Sequence, residues 1–269
     1  MERKLAVIGG GNMGSALIGG LVKKEICSPS DILVCEVVPE RREQLARDYG
    51  VRVSDLLEKA TGFARTVLLA VKPMHLPEVG SRLQSLLGQE HVLISILAGQ
   101  SRQKLASVLG DLVEIVRVMP NLPAQVQAGI SSVTFSPNVQ ENVRSWVNEI
   151  LSAVGPVVEV EEELQDAVTA VSGSGPGYLF YLVDQMIAAA KEAGLPDETA
   201  RLLVLHTFAG AGRYLEQSSE DPAVLVKRVA TPGGTTEAGL NVLGNARLPE
   251  IVSETIRKAT ERSKELGQA

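Results

Sequence analysis

The stretch that decides the fold is Leu5-Ala6-Val7-Ile8-Gly9-Gly10-Gly11-Asn12-Met13-Gly14. Four apolar residues lead directly into a GxGxxG pattern, whose glycines are Gly9, Gly11 and Gly14. A short, continuous apolar run is typical of a strand that is buried on both faces of a parallel sheet. The stretch therefore predicts a strand, a tight turn and a helix from Asn12, which is the unit that binds dinucleotides.

The glycine pattern alone is weak evidence for a nucleotide site, but its surroundings strengthen it. Residues 31–36 predict a second strand, which ends in the acid Glu36. In such a unit the first glycine permits the turn, the second lets the backbone approach the pyrophosphate, and the third lets the helix pack closely. The predicted contacts to the cofactor phosphates, at the positive end of the helix, are Gly9, Gly11, Asn12, Met13 and Gly14.

The residue at the end of the second strand bears on the choice of cofactor. An acid there accepts hydrogen bonds from both adenosine ribose hydroxyls and repels a 2′-phosphate, so Glu36 favours NADH over NADPH. Arg41 and Arg42 keep the alternative open, because either guanidinium could bind the 2′-phosphate or both could point to solvent. The predicted cofactor is NADH or NADPH, with NADH favoured.

The chain divides into two parts by its hydrophobic pattern. Strands are predicted at residues 66–71, 91–96, 113–118, 130–135 and 157–160, and helices at 39–49, 76–87, 102–109 and 139–153. This alternation predicts an α/β fold, with an N-terminal Rossmann-type, doubly wound parallel sheet as residues 1–160. Beyond it only helices are predicted, at residues 161–172, 176–193, 197–216, 222–229, 236–243 and 248–266.

The all-helical C-terminal part, residues 161–269, is a candidate dimerisation domain. Its small residues at 188–190 and 209–212 let helices approach closely. They favour a homodimer through this domain, although tight packing inside one subunit is the alternative. The acidic run at residues 161–163 is interpreted as the solvated start of a linking helix.

Composition argues against several classes of protein. The net charge is −6, aromatic residues make up 3%, and lysine and arginine form no cluster, so no nucleic-acid partner is expected. No apolar stretch is long enough to span a membrane, and residues 1–4 do not begin a signal peptide, so we expect a cytoplasmic location. Cys27 and Cys35 have no metal-binding or disulfide spacing, and no metal is expected.

Four further segments resemble those of pyrroline-5-carboxylate reductases. They are Val-Ser-Gly-Ser-Gly-Pro-Gly-Tyr at 171–178, Ala-Thr-Pro-Gly-Gly-Thr-Thr-Glu-Ala-Gly at 230–239, Ala-Val-Lys-Pro at 70–73 and Arg-Val-Met-Pro-Asn at 117–121. The resemblance implies an oxidoreductase that reduces the cyclic imino acid 1-pyrroline-5-carboxylate to L-proline with NAD(P)H, the last step of proline biosynthesis. It also implies that residues 161–269 are a substrate and dimerisation domain, which interlocks with a partner subunit. The dimers of the family assemble further, commonly into decamers.

The resemblance also assigns site residues. Thr236 would hydrogen-bond the ring nitrogen, and we interpret it as a catalytic residue that positions the substrate first and delivers a proton second. Without the resemblance, Thr236 would be interpreted as an ordinary helix cap. The glycines of its loop are expected to expose N–H groups to the substrate carboxylate. The other substrate contacts implied are Ser172, Gly173, Ser174, Gly175, Thr231, Gly233, Gly234 and Thr235, and the cofactor contacts are Ala70, Val71, Lys72, Pro73, Ala98 and Asn121.

Two other functions compete with this one. A β-hydroxyacid dehydrogenase shares the two-domain plan, but it needs a lysine base one turn into the helix after the glycine-rich segment. Here no lysine follows Tyr178 until Lys191, so the sequence favours the imine reductase. A non-catalytic dinucleotide sensor is the second alternative, although a sensor has no need to keep the loop around Thr236.

Overall fold

The computed structural model describes residues 3–137 and 139–268, so residues 1, 2, 138 and 269 of the predicted domains lie outside the described residues. The apolar runs of the N-terminal part form one eight-stranded sheet in the order β3-β2-β1-β4-β5-β6-β7-β8. The strands are β1 (Leu5–Ile8), β2 (Ile32–Cys35), β3 (Arg52–Ser54), β4 (Thr66–Leu69), β5 (Val92–Ser95), β6 (Glu114–Pro120), β7 (Ser131–Thr134) and β8 (Val157–Glu159).

Helices cover both faces of this sheet, as expected of a doubly wound fold. They are α1 (Asn12–Lys23), α2 (Pro39–Tyr49), α3 (Leu57–Phe63), α4 (Leu76–Gln84), α5 (Arg102–Leu109) and α6 (Glu141–Ser152). Leu5 and Val7 of β1 lie in a core cluster with side chains of α1, α2 and α6. Ala6 and Ile8 lie in a second cluster with side chains of α3, α4 and α5, so the predicted two-sided burial is confirmed.

The predicted doubly wound parallel sheet is confirmed, and one strand pair at its far end is antiparallel. β6 and β7 pair antiparallel, with Val118 opposite Val133, whereas the other six pairs are parallel. The cause is the short connection, since only a 3₁₀ turn (Leu122–Val126) lies between the two strands. A parallel pair would need a longer crossover on one face of the sheet.

The sequence analysis missed two short elements, β3 and α3. The three residues of β3 form an edge strand beside β2, too short to show an alternating pattern. The seven residues of α3 include a glycine and a threonine, both weak helix formers. Asp55, which directly follows β3, and Leu57 of α3 line the cavity beside the glycine turn, so the omission affected the predicted site.

Beyond β8 the described chain is helical. A 3₁₀ turn (Glu162–Leu164), a single α-helical turn α7 (Gln165–Val168) and a π-helical turn (Thr169–Gly173) replace the predicted helix at 161–172. The long helices follow as α8 (Gly175–Glu192), α9 (Asp197–Gln217), α10 (Pro222–Val229), α11 (Thr235–Asn245) and α12 (Leu248–Gln268). No helix in the described ranges is both long enough and apolar enough to cross a membrane.

The chain forms two compact units whose limits differ from the predicted domain limits. The first runs through Ser174 and includes α12 from Lys258 onward, and the second is Gly175–Arg257. Residues 162–173, the linking segment, are hydrogen-bonded to β7 of the sheet. The Ser132 hydroxyl donates to the side-chain oxygen of the buried Gln165, and the side-chain nitrogen of Gln165 donates to the Thr134 hydroxyl. The end of α12 joins the same unit through the Ser263 hydroxyl, which donates to Asp166 at 2.7 Å.

Candidate dinucleotide and substrate sites

The glycine turn has the geometry that the pattern predicts. Gly9 has φ +101°, and a Cβ there would lie 2.8 Å from the carbonyl oxygen of Ala70. A Cβ at Gly14 would lie 2.5 Å from the carbonyl oxygen of Gly9, so α1 packs directly on the turn. A Cβ at Gly11 would meet nothing within 4 Å, and this side of the turn is open to a ligand.

A cavity of about 450 Å³ opens beside this turn, at the carboxyl ends of β1, β2 and β4. This is the position where ligands bind in open α/β sheets, and the volume is in the usual range for a ligand pocket. Residues of the cavity wall that the sequence predicted as cofactor contacts are Gly9, Gly11, Glu36, Ala70, Val71 and Lys72. Residues that it missed include Val37, Val38, Asp55, His75 and Arg82.

The Glu36 carboxylate is held in the cavity wall by two main-chain donors. Oε2 accepts a hydrogen bond from the N–H of Gly10 at 2.8 Å. Oε1 accepts one from the N–H of Val38 at 2.9 Å. Each carboxylate oxygen can accept a second bond, so both remain able to bind a hydroxyl group.

Arg41 and Arg42 do not point to solvent, and that interpretation of the sequence is wrong. Nε of Arg41 donates to the carbonyl oxygen of Gly10 at 2.7 Å. Nη1 of Arg42 donates to the carbonyl oxygen of Glu36 at 2.7 Å, and Nη2 lies 3.7 Å from Oδ2 of Asp55. Both guanidinium groups therefore support the backbone of the glycine turn and of the segment after β2.

The other predicted cofactor contacts are not part of the cavity wall. Asn12 and Met13 begin α1, whose N-terminus has no side-chain cap. Pro73 opens a 3₁₀ turn next to Lys72, and neither Pro73 nor Ala98 lines the cavity. Asn121, also outside the cavity wall, accepts the N–H of Ile130 at 3.0 Å and donates to the hydroxyl of Ser172 at 3.4 Å.

The predicted substrate contacts Ser172, Gly173, Ser174 and Gly175 lie where a π-helical turn leads into α8. Ser172 and Gly173 belong to the π-helical turn, a feature that is frequent at functional sites. A Cβ at Gly173 would meet Cε of Met119, the end of a flexible side chain, so Gly173 packs against Met119 of β6. A Cβ at Gly175, the first residue of α8, would meet nothing within 4 Å.

A buried ion-pair network lies beneath this segment, and the sequence analysis missed it. Arg117 of β6, with a side chain only 6% exposed, places Nη1 2.8 Å from Glu162 and Nη2 3.6 Å from Asp166. Glu162 also accepts the main-chain N–H of Arg102 at 3.1 Å. The interpretation of the acidic run as wholly solvated is therefore wrong for Glu162.

The prediction that the glycines of the loop before α11 expose their N–H groups is wrong. The N–H of Gly233, where φ is +73°, donates to Oε2 of Glu237 at 2.8 Å. The N–H of Gly234 donates to the carbonyl oxygen of Thr231 at 2.9 Å. Among the described residues, nothing accepts the N–H groups of Thr235 and Thr236 at the start of α11. The threonines, and not the glycines, present the open donors of this loop.

Neither cysteine is suited to chemistry in this site. Cys35 ends β2 in the cavity wall, and Cys27 lies in the core between α1 and β2. Burial is the main cause that raises the pKa of each thiol to about 11. Both are therefore protonated thiols at neutral pH and weak nucleophiles.

Comparisons with known proteins show which family this chain is related to. The family model described as pyrroline-5-carboxylate reductase dimerisation matches residues 162–266. The model described as NADP oxidoreductase coenzyme F420-dependent matches residues 4–99. A pyrroline-5-carboxylate reductase of Synechocystis sp. is 39% identical over 100% of both chains. The Escherichia coli protein of the same name is 32% identical, also over 100% of both chains.

This chain belongs to the pyrroline-5-carboxylate reductase family. Solved structures of the family have the same fold. One from Coxiella burnetii superposes with a TM-score of 0.93 at 31% identity, over 100% of both chains. A Plasmodium falciparum pyrroline carboxylate reductase with NADP bound superposes with a TM-score of 0.88 at 29% identity, over 99% of both chains.

The described residues fit the nicotinamide dinucleotide that enzymes of the reductase family use. No described group accepts the N–H groups of Asn12, Met13 and Gly14 at the start of α1. They lie beside the open face of Gly11, and such uncapped helix ends bind phosphate. The cavity then extends from this turn to Glu36, which is where the adenosine ribose lies in Rossmann domains.

Proposed function

We propose that this chain reduces 1-pyrroline-5-carboxylate to L-proline, the last step of proline biosynthesis. The observation that carries the proposal is the full-length relationship to pyrroline-5-carboxylate reductases, at 39% identity to the Synechocystis protein. Two features of the chain support the proposal. One is the dinucleotide cavity, and the other is a loop at 231–236 with open N–H donors.

The proposed roles follow from the chemistry of the substrate, which has one carboxylate and one ring nitrogen. The N–H groups of Thr235 and Thr236, at the positive end of α11, would bind the carboxylate. The Thr236 hydroxyl would hydrogen-bond the ring nitrogen and orient the imine carbon. A bound reduced nicotinamide supplies the hydride. A threonine hydroxyl is a weak acid, so we assign it positioning first and proton delivery through water second.

We also propose that NADH is the preferred cofactor. Glu36 is fixed at the ribose end of the cavity, and Asp55 lines the same wall. Two carboxylates there would repel a 2′-phosphate. Arg41 and Arg42 each donate to a main-chain carbonyl oxygen, so neither guanidinium is available to bind that phosphate through two hydrogen bonds.

One assay tests both proposals. The purified protein is mixed with 1-pyrroline-5-carboxylate and NADH or NADPH, and the loss of reduced cofactor is followed by absorbance. We expect turnover, with kcat/KM for NADH about tenfold above that for NADPH. Folded protein that gave no turnover with either cofactor would refute the reductase assignment and favour a sensor. Turnover with a clear preference for NADPH would refute only the role of Glu36.

The assembly and location are further proposals. The dimerisation model matches residues 162–266, which indicates a homo-oligomer. We propose a homodimer through the helical domain, with dimers assembling into a decamer. A cytoplasmic location stays a prediction of the sequence.

A further inference from the structure

The main chain at Gly10 is held from both sides by charged side chains. Its N–H donates to Oε2 of Glu36 at 2.8 Å. Its carbonyl oxygen accepts Nε of Arg41 at 2.7 Å and the Ser15 hydroxyl at 3.0 Å. Because the two bonded groups flank the same Cα atom, they fix both backbone dihedrals of Gly10 in the middle of the glycine turn.

Arg41 makes two further bonds that complete this arrangement. Nη2 donates to the hydroxyl of Ser15 at 2.5 Å, and Ser15 in α1 is only 6% exposed. Nη1 donates to Oε1 of Gln44 at 2.6 Å. One guanidinium in α2 thus binds both the glycine turn and the first helix. The planar guanidinium holds several N–H donors in a fixed arrangement, and the ammonium group of a lysine cannot reproduce this set of bonds.

The packing of α2 on the turn supports the same function. A Cβ added at Gly10 would meet Cδ1 of Leu45, which packs against the turn at this point. Leu45 follows Arg41 by four residues, so both side chains lie on the same face of α2. The turn is therefore shaped by α2 as well as by its own glycines.

We propose that Arg41 is a positioning residue of the dinucleotide site, which holds the glycine turn in its binding conformation and does not bind a 2′-phosphate. The inference rests on the proposed use of a nicotinamide dinucleotide. It makes a distinctive prediction, since the turn binds the pyrophosphate that NADH and NADPH share. Loss of Arg41 weakens both cofactors by the same factor, whereas loss of a phosphate clamp weakens NADPH alone.

The test uses Arg41→Gln and Arg41→Lys in the full chain. The dissociation constants of NADH and NADPH are measured from the fluorescence of the reduced nicotinamide, without substrate. We expect Arg41→Gln to raise both constants about tenfold, because the hydrogen bond to the Gly10 carbonyl and the bond to Ser15 in α1 are lost, and to keep their ratio within about twofold. Arg41→Lys should recover part of the affinity. At saturating cofactor, kcat and the KM for the imine should stay within about twofold of the parent values.

Arg47→Gln is the matched control, because Arg47 is in the same helix and its side chain is 72% exposed. It should change neither constant. The inference would be overturned if Arg41→Gln raised the dissociation constant of NADPH alone, or raised neither constant. If circular dichroism shows that Arg41→Gln is unfolded, the same comparison is made with Arg41→Lys and Ser15→Ala, for which a smaller but equal rise is expected. If the parent protein binds neither dinucleotide, the proposed function is refuted. If it binds a dinucleotide but does not reduce the imine, the binding measurements still test the role of Arg41.

Discussion

Gly233 and Gly234 show how a sequence motif can indicate a site and still mislead about its donors. The motif suggested that the glycines expose N–H groups, yet Glu237 and Thr231 accept both of them. The glycines serve the turn instead, since a Cβ at Gly234 would lie 2.5 Å from Oγ1 of Thr231. The anion-binding groups of this loop are left to the two threonines that begin α11.

Glu237 leads to a prediction about substrate affinity. Its carboxylate lies at the loop that is proposed to bind the substrate carboxylate, so the two negative charges repel. Glu237→Gln keeps an oxygen acceptor for Gly233 and removes the charge. We expect the KM for 1-pyrroline-5-carboxylate to fall about threefold with kcat unchanged, and the difference from the parent to shrink at high salt.

Glu198→Gln is the control for Glu237→Gln, because it removes one charge from the first turn of another helix, α9. It should leave the KM unchanged. An equal KM for the parent and Glu237→Gln at low salt would contradict repulsion at the loop.

Thr236 leads to a prediction about turnover. Thr236→Ala removes the hydroxyl that is proposed to orient the ring nitrogen but keeps the main-chain N–H. We expect kcat to fall about 100-fold with cofactor affinity nearly unchanged, measured by steady-state kinetics and a fluorescence titration. Thr236→Ser, which retains the hydroxyl, should keep most of the turnover. Unaltered turnover in Thr236→Ala would remove this residue from the mechanism.

At the scale of elements, local patterns were predicted well and contacts between distant segments were not. The strand, turn and first helix follow from ten consecutive residues, and the structure has β1 and α1 where the pattern placed them. The pair Arg117 and Glu162 joins β6 to the linking segment, 45 residues apart in sequence. No periodicity or spacing signals such a pair, because it depends on how the strands and helices pack.

Arg117 leads to a prediction about stability. Arg117→Met leaves the partly buried carboxylates of Glu162 and Asp166 without this cation, so the free energy of unfolding should fall by about 3 kcal/mol. Urea unfolding measures the change. Arg262→Met is the control, because its ion pair with Glu265 in α12 is 66% and 61% exposed, and it should cost less than about 0.5 kcal/mol. A loss in Arg117→Met no larger than in the control would show that the network does not anchor the linking segment.

At the scale of the whole molecule, the two units bury apolar residues to different extents. In the sheet unit, side chains of α1 and α6 such as Leu17 and Ile150 are completely buried. In the second unit, α8 has 18 residues but buries only Pro176, and α10 and α11 bury none. Phe180 of α8 and Leu203 of α9, 57% and 52% exposed, belong to a broad apolar surface on the helices of this unit. Such a surface is typical of a protein interface, and the sequence predicted its use through the small residues of the same helices.

The apolar surface of the second unit leads to a prediction about assembly. If a second copy of the chain covers this surface, the mass of the protein in solution should be at least twice the 28.6 kDa of one chain. Phe180→Glu and Leu203→Glu each place a charge in the proposed interface, so we expect both to shift the mass towards that of the monomer. Leu112→Glu changes a side chain of the sheet unit that is 63% exposed, and it should leave the mass unaltered. Light scattering coupled to gel filtration measures the masses. A monomeric parent protein, or two substituted proteins that remain fully assembled, would show that these helices are not the interface.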